Sequence, residues 1–411
     1  MFCRIEALNF RCLRYINQEL SGFHVLVGPT ASGKPTFMDV IAFVSEIVSE
    51  GIEDAISSRT GNFLDLVWAR SQALSIEFAL EAELPESVRE QLGSGNIDQC
   101  EYSRIRYELR LESAADNGPI HIAKERVTLL ESSDLSKPRA ELSAFPVPPF
   151  RPSTLFFPFE PLERRIVISS SPEKGTVFYP EYPPKELRSF LPIYKLGPYK
   201  SALANLPHDE EAFPAATWFR SFLTEGVQSF VLNSQLIRKA SPPVRRGGFK
   251  SDGSNLPWVI SNLHSKDPER FDGWIAHLKT ALPDIRNVRI VEREDDRHKY
   301  LVVEYENGLS VPAWMVSDGT LRLLALTLPA YLVGFNGSYL IEEPENGIHP
   351  RAIETVLQSL SSVYSAQILL ASHSPIVLSV VRPDQILCFA KSENGETCIV
   401  SGDHHPRLRD W

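Results

Sequence analysis

Short apolar runs alternate with longer stretches of helical spacing along this chain, and their order predicts an α/β fold. Residues 1–26 alternate in a way that predicts two strands joined by a turn. Ile5, Leu8 and Phe10 mark the first, and the buried run Phe23–Val27 leads into a glycine-rich turn. Phe37, Val40, Ile41, Val44, Ile47 and Val48 then recur at helical spacing over 36–50, giving strand, turn, helix. Residues 74–84, 102–111 and 120–130 read as antiparallel strands. Arg104, Arg106, Glu108 and Arg110 fall on one face of the second, a face expected to be solvated.

The pattern fades over 132–184. Pro146, Pro148, Pro149, Pro152, Pro158 and Pro161 predict loop or irregular connection there, pinned by Phe156, Phe157 and Phe159. Helical spacing returns over 215–232 and 268–282, separated by a basic loop, 241–255, that carries Arg245, Arg246 and Lys250. A hairpin over 288–311 turns at Glu306-Asn307-Gly308. Beyond it come a helix from Ser317, a strand at 338–341, a helix over 349–364, a strand at 367–371 and a hairpin over 385–400. This order divides the chain into an N-terminal lobe (1–80), an antiparallel β subdomain (81–131), a Pro-rich connection with a helical insertion (132–287) and a C-terminal lobe (288–411).

Composition changes this picture little. With 411 residues, 43% apolar and 23% charged, the chain suits one large domain or two to three smaller ones. A net charge of −10 gives no global field for nucleic acid, so any DNA contact would need a local basic patch; Arg245, Arg246 and Lys250, or Arg104, Arg106 and Arg110, are the candidates. Cys3, Cys12, Cys100, Cys388 and Cys398 form no C-x-x-C pair, which speaks against a zinc site or a disulfide framework. The longest apolar stretch, 323–335, falls short of the ~20 residues that span a bilayer. A cytoplasmic protein without a membrane segment is expected.

Four segments carry chemistry. Gly28-Pro29-Thr30-Ala31-Ser32-Gly33-Lys34 matches G-x-x-x-x-G-K between a strand and a helix. Backbone N–H groups at a helix N-terminus cradle phosphate there, and Lys34 would reach the β- and γ-phosphates. Pro35 stands where a magnesium-binding hydroxyl is expected, and Thr36 lies about 100° further round the helix. Tyr339-Leu340-Ile341-Glu342-Glu343 is an apolar run ending in two carboxylates, Glu342 suited to Mg²⁺ and Glu343 to the catalytic base. His373 follows the apolar run Ile368–Ala371, where it can sense a γ-phosphate. Ser317-Asp318-Gly319-Thr320 opens a helix, and capping by Ser317 alone would account for it.

Together, the phosphate loop, Ser317-Asp318-Gly319-Thr320, Leu340-Ile341-Glu342-Glu343-Pro344-Glu345-Asn346-Gly347 and Ala371-Ser372-His373-Ser374-Pro375 resemble the ABC-type ATPase heads of the SMC, RecF and OLD group, in particular its stand-alone bacterial AAA-type members. The resemblance covers residues 1 to about 80 and about 300 to 411. It implies a P-loop NTPase fold that uses ATP and Mg²⁺. It also implies a homodimer closed on ATP, with Gly28 to Thr36, Glu342, Glu343 and His373 of one head facing Ser317 and Gly319 of the other. Gln72 stands where such heads carry a magnesium-contacting glutamine. No long coiled coil, zinc-hook pair or appended nuclease domain is expected, so a nuclease or other effector would be a separate protein. Two readings stay open: an ATPase that controls an effector or a DNA transaction in phage defence or DNA repair, and a nucleotide-gated sensor in which Pro35 suppresses hydrolysis.

Overall fold

The computed structural model describes residues 1–70, 74–94, 102–113, 118–131, 144–157, 164–181, 191–243 and 248–406. Two units emerge: the first holds Met1–Ser21, Gly28–Val227 and Leu387–Trp411, the second Gly22–Val27 and Gln228–Ile386. Along the chain, β1 (Phe2–Phe10), β2 (Leu13–Glu19) and β3 (Phe23–Val27) precede α1 (Lys34–Ser49) and α2 (Ile52–Ser57). Next come β4 (Ser75–Glu83), α3 (Glu86–Ser94), β5 (Tyr102–Ser113), β6 (Ile120–Glu131), β7 (Arg164–Ser171), β8 (Gly175–Phe178) and α4 (Pro214–Glu225). They are followed by β9 (Val227–Phe230), α5 (Ser234–Ile237), α6 (Leu256–Lys266), α7 (Pro268–Ala281), β10 (Ile285–Glu292), β11 (Lys299–Tyr305) and β12 (Ser310–Pro312). The last third carries α8 (Asp318–Thr327), β13 (Ser338–Glu342), α9 (Pro350–Ser361), β14 (Gln367–Ala371), α10 (Pro375–Val380), β15 (Ile386–Lys391) and β16 (Thr397–Ser401).

The first unit is built on an antiparallel sheet in the order β2-β1-β4-β5-β6-β7-β8. One face packs on helices. Phe10 stacks on Phe43 of α1 at 5.6 Å and meets Phe78 edge-on at 5.0 Å, while Phe2 lies 4.7 Å from Phe222 of α4. The other face is charged but covered, which corrects the expectation of a solvated face. Arg106 is 1% exposed and pairs with Glu6 at 2.6 Å, Glu81 at 2.7 Å and Glu108 at 3.0 Å. Arg110 pairs with Glu77 at 3.2 Å and with Glu112 at 2.5 Å. The Arg104, Arg106 and Arg110 set is therefore drawn into carboxylate pairs and offers DNA no unpaired basic strip. Arg245 and Arg246 lie outside the described residues.

What covers the charges is part of the Pro-rich segment. Leu155 and Phe157 donate backbone N–H groups to Glu77 (2.6 Å) and Glu108 (3.1 Å), and their carbonyls accept from Arg106 (3.0 Å) and Arg126 (2.9 Å). The Arg106 guanidinium also lies 4.1 Å from the Phe157 ring. An irregular segment has no ladder to satisfy its backbone, and buried ions need partners; each solves the other's problem. Two strands, β7 and β8, also form within the stretch expected to be irregular, where β7 pairs with β6. Other differences are local. β2 was not anticipated, because Arg14, Asn17 and Gln18 blur its alternation. The helix expected over 215–232 stops at Glu225, with Gly226 as its C-cap, and the chain continues as β9.

The second unit holds strands in the order β3-β14-β13-β9, with a separate β10-β11-β12 meander. β3, β14 and β13 run parallel, and their central residues are buried on both faces, as Leu340, Ile341, Leu369 and Leu370 show. α7, α8 and α9 supply Trp274, Leu321, Leu324, Ile353, Val356 and Leu360 to the same core. Trp274 donates its indole N–H to Thr327 at 2.9 Å, so the largest buried ring leaves no orphan donor.

Two outcomes follow from buried charge. Replacing Arg106 by Leu strands several carboxylates, and denaturant titration should show a loss of about 3–5 kcal/mol; a change below 1 kcal/mol would contradict the ionic layer. His24, 5% exposed on β3, has its pKa pushed down to about 4 by burial. The unfolded chain takes up that proton below about 6.5, so stability is full above pH 6.5 and falls as pH drops towards 4. In denaturation measured against pH, a His24→Leu variant should lack this component, up to about 3 kcal/mol, relative to the wild-type protein.

Candidate functional site

The glycine loop leaves the end of β3 and enters α1 with its backbone in left-handed conformations, φ being 150° at Gly28, 62° at Ala31 and 103° at Gly33. Both glycines are also required by space. A Cβ on Gly28 would lie 2.2 Å from the Phe389 carbonyl oxygen, and one on Gly33 would lie 2.5 Å from Thr397 Oγ1 and 3.0 Å from Cys12 Sγ. The β15–β16 hairpin supports the loop from its own unit. Thr397 donates its hydroxyl to the Ser32 carbonyl at 3.0 Å, and its N–H to the Cys12 carbonyl at 3.2 Å.

Three features fit this loop to a polyphosphate. No side chain caps the N-terminus of α1, leaving the dipole end for an anion. The Ser32 hydroxyl is buried and has no hydrogen-bond partner among the described residues. Lys34 is 2% exposed, and its ammonium donates to the carbonyls of Gly28 (2.8 Å) and Pro29 (3.1 Å), neutral acceptors that an anion would outcompete. Pro29, Thr30 and Ala31 are exposed at the tip. Pro35 occupies the first turn of α1 at no cost to the helix, while the Thr36 hydroxyl accepts from the Cys12 thiol at 3.4 Å.

In the second unit, register aligns three strand ends. Glu342 of β13 stands opposite Ala371 of β14, and Ala371 stands opposite Leu26 of β3. Beyond the ladders, Glu343 N–H donates to the Ala371 carbonyl at 2.8 Å, and Ser372 N–H to the Leu26 carbonyl at 3.1 Å. Glu342, Glu343 and His373 are all exposed at these ends. Glu343 has φ 45°, a left-handed conformation that a non-glycine residue holds at a cost of about 1–3 kcal/mol. Asn346 holds it there, donating its side-chain N–H to the Glu343 carboxylate and its backbone N–H to the Glu343 carbonyl at 3.0 Å. Among the described residues no group of three or more His, Cys, Asp or Glu could hold a metal.

Ser317 is the N-cap of α8, its hydroxyl accepting from Thr320 N–H at 3.2 Å. Gly319 packs so closely that a Cβ would lie 2.5 Å from the Gly347 carbonyl oxygen. Arg238 braces the turn, pairing with Asp318 at 2.6 Å and donating to the Val316 carbonyl at 2.7 Å. The structure thus places Ser317 and Gly319 on one helix start and Glu342, Glu343 and His373 on adjoining strand ends. Gln72 lies outside the described residues. Sequence reading placed Glu345 and Asn346 in the motif without assigning either a role, and did not single out Thr397, Cys12 or Arg238. Only Glu345 and Asn346 carried a local signal, as polar residues directly after the paired acids.

The family model described as "AAA domain, putative AbiEii toxin, Type IV TA system" matches residues 23–379. Over 122 residues, the chain is 30% identical to the "Retron Vc95 probable ATPase" of Vibrio cholerae serotype O1 biovar El Tor; the match covers 26% of this chain and 23% of that protein. Among solved structures, an SMC head bound to the C-winged helix domain of ScpA superposes with a TM-score of 0.55 at 14% identity, covering 97% of each chain. The Smc head with an extended coiled coil from Pyrococcus furiosus, bound to the C-terminal domain of ScpA, gives 0.54 at 14% identity, covering 97% of this chain and 96% of that one. The fold is accordingly similar to that of SMC heads.

Gly28→Ala should cost roughly 2–3 kcal/mol and weaken nucleotide binding, from the forced contact and the positive φ together. Gly61→Ala, which meets no atom within 4 Å, should shift stability by less than about 0.5 kcal/mol. Thermal melts and equilibrium binding check both; equal effects would contradict the tight seat of the loop.

Proposed function

This chain belongs to the AAA-domain family whose model spans most of it, and on that footing we propose that it binds ATP and hydrolyses it with Mg²⁺. The observation that carries this reading is the register of β3, β14 and β13. It brings the C-terminal ends of these three strands side by side within the second unit, and the phosphate loop, the second of the paired acids and the His373 segment each follow one of those ends in sequence. Backbone N–H groups of the loop, the Ser32 hydroxyl and the Lys34 ammonium bind the phosphate chain. Glu343, aimed by Asn346, accepts the proton of the attacking water. His373 hydrogen-bonds the γ-phosphate and registers its presence. Mg²⁺, held through water by Glu342 with Gln72 as a further contact, would neutralise charge on the phosphate oxygens.

The reading extends to assembly. Two copies close on ATP, with Ser317 and the Gly319 amide of one head meeting the γ-phosphate bound by the other, since an exposed helix N-terminus favours an anion. The closed pair governs a separate effector, such as a nuclease, in phage defence or DNA repair. The retron relative and the family's toxin–antitoxin description support the defence setting. The SMC heads were solved with a bound partner domain, which supports partner control. No helix among the described residues is long and apolar enough to cross a membrane, and the reading places the protein in the cytoplasm. DNA contact through Lys250 and its loop remains the weaker branch, since the β5 arginines are paired.

Pro35 favours a second reading, a nucleotide-gated sensor with little turnover, because the position offers no hydroxyl to a metal. Phosphate release with and without Mg²⁺, run beside nucleotide binding and size measurement, separates the two. Under the ATPase reading, Glu343→Gln lowers kcat by at least ~10²-fold while keeping nucleotide affinity and accumulating an ATP-dependent dimer. Lys34→Ala weakens binding by ~10-fold or more. Pro35→Ser raises turnover several-fold. Tight binding with no effect of Glu343→Gln would favour the sensor.

A further inference from the structure

One carboxylate oxygen ties the loop after β13 to the loop after β14. Glu345 Oε1 accepts from the Ser372 hydroxyl at 2.6 Å, the His373 N–H at 2.8 Å and the Ser374 N–H at 3.1 Å. The Ser372 hydroxyl in turn accepts from Ser374 N–H at 3.0 Å. The second oxygen, Oε2, is enclosed and has no hydrogen-bond partner among the described residues. A charged acceptor serving three donors is stronger than neutral bonds of the same number. It therefore fixes the backbone from Ser372 to Ser374, the base on which the exposed His373 ring stands.

The geometry on the other side explains why Glu345 can do this. Glu343 N–H is held by the Ala371 carbonyl, and its φ of 45° turns the chain sharply at the strand end. Two residues later the chain is directed back, and Glu345 reaches the loop that follows Ala371. Asn346 closes the same turn on Glu343. The turn Glu343–Asn346 thus holds two side chains at once: Asn346 orients Glu343, and Glu345 orients the His373 segment. An ordinary link between loops could be any backbone pair; here three donors converge on one oxygen, next to the residue read as the catalytic base.

We propose that Glu345 is a positioning residue that couples the His373 loop to the Glu343 turn, so that the phosphate-sensing and water-activating groups keep a fixed spacing during hydrolysis. This rests on the ATPase reading above. The role is carried by Oε1, on which the Ser372, His373 and Ser374 donors converge.

The test uses the full chain with Glu345→Ala and Glu345→Gln. In nucleotide-free protein, hydrogen exchange at the His373 and Ser374 amides should speed by about tenfold or more in Glu345→Ala, as expected when charge-assisted bonds are lost. Glu345→Gln, which keeps an acceptor oxygen, should stay within about threefold of the wild-type protein. For turnover, Glu345→Ala should lower kcat by about 30- to 100-fold while nucleotide Kd stays within about threefold, the pattern of misplaced rather than missing groups. Glu345→Gln should recover most of that loss. Unchanged exchange in Glu345→Ala, a kcat within twofold of wild type, or a parallel fall of kcat, affinity and melting temperature that Glu345→Gln does not repair would each overturn the proposal. A wild-type protein without turnover would defeat the ATPase reading instead, and the exchange measurement would then decide the loop anchor alone.

Discussion

Parallel pairing of β3, β14 and β13 is the constraint on which the rest depends. Each of these strands is only five residues long, and burial on both faces leaves little tolerance for a slip. A shift of one residue would turn every apolar side chain to the opposite face and carry the terminal polar residues with it. Because register is fixed, so is the level at which each strand ends. Chemistry-bearing residues follow immediately: Gly28 after β3, Ser372 and His373 after β14, Glu343 after Glu342 at the tip of β13. Open α/β sheets collect ligands at the carboxyl ends of parallel strands for this reason.

The first unit solves a different problem. Its sheet carries ions on a face that a Pro-rich segment covers, and burial of unpaired ions there would be costly. The covering backbone and the side chains beneath it satisfy one another, so an irregular stretch is held without a ladder of its own. The same unit seats the glycine loop against Phe389 and Thr397, which lie more than 350 residues away in sequence from Gly28 and Ser32. Loop rigidity therefore comes from long-range contacts, while loop chemistry is local.

Legibility in the sequence followed this division. β13 and β14 were readable because Tyr339–Ile341 and Ile368–Ala371 are short, wholly apolar runs between polar turns, and the strand expected at 367–371 is the one observed. The glycine loop was readable as a tight turn between strand and helix because Gly28 and Gly33 punctuate it, and both take positive φ. Arg106 was misread: period-2 alternation identifies a second face but not what lies on it, and cover by residues 154–157 leaves no periodic trace. β2 was missed where polar residues interrupt the alternation. Glu345 stood beside the paired acids, yet its role depends on the turn set by the φ of Glu343 and on donors from another strand, neither of which sequence spacing encodes. Pro35 was visible from the start, and the structure accommodates it without strain.

As proposed, the loop after β3 and the residues that follow β13 and β14 serve one triphosphate. A crystal structure of the Glu343→Gln protein with ATP and Mg²⁺ tests it most directly. Lys34 should leave the Gly28 and Pro29 carbonyls for the β- and γ-phosphates, with His373 and residue 343 within one water of the γ-phosphate. ATP bound elsewhere, or Lys34 still on those two carbonyls with nucleotide present, would contradict it.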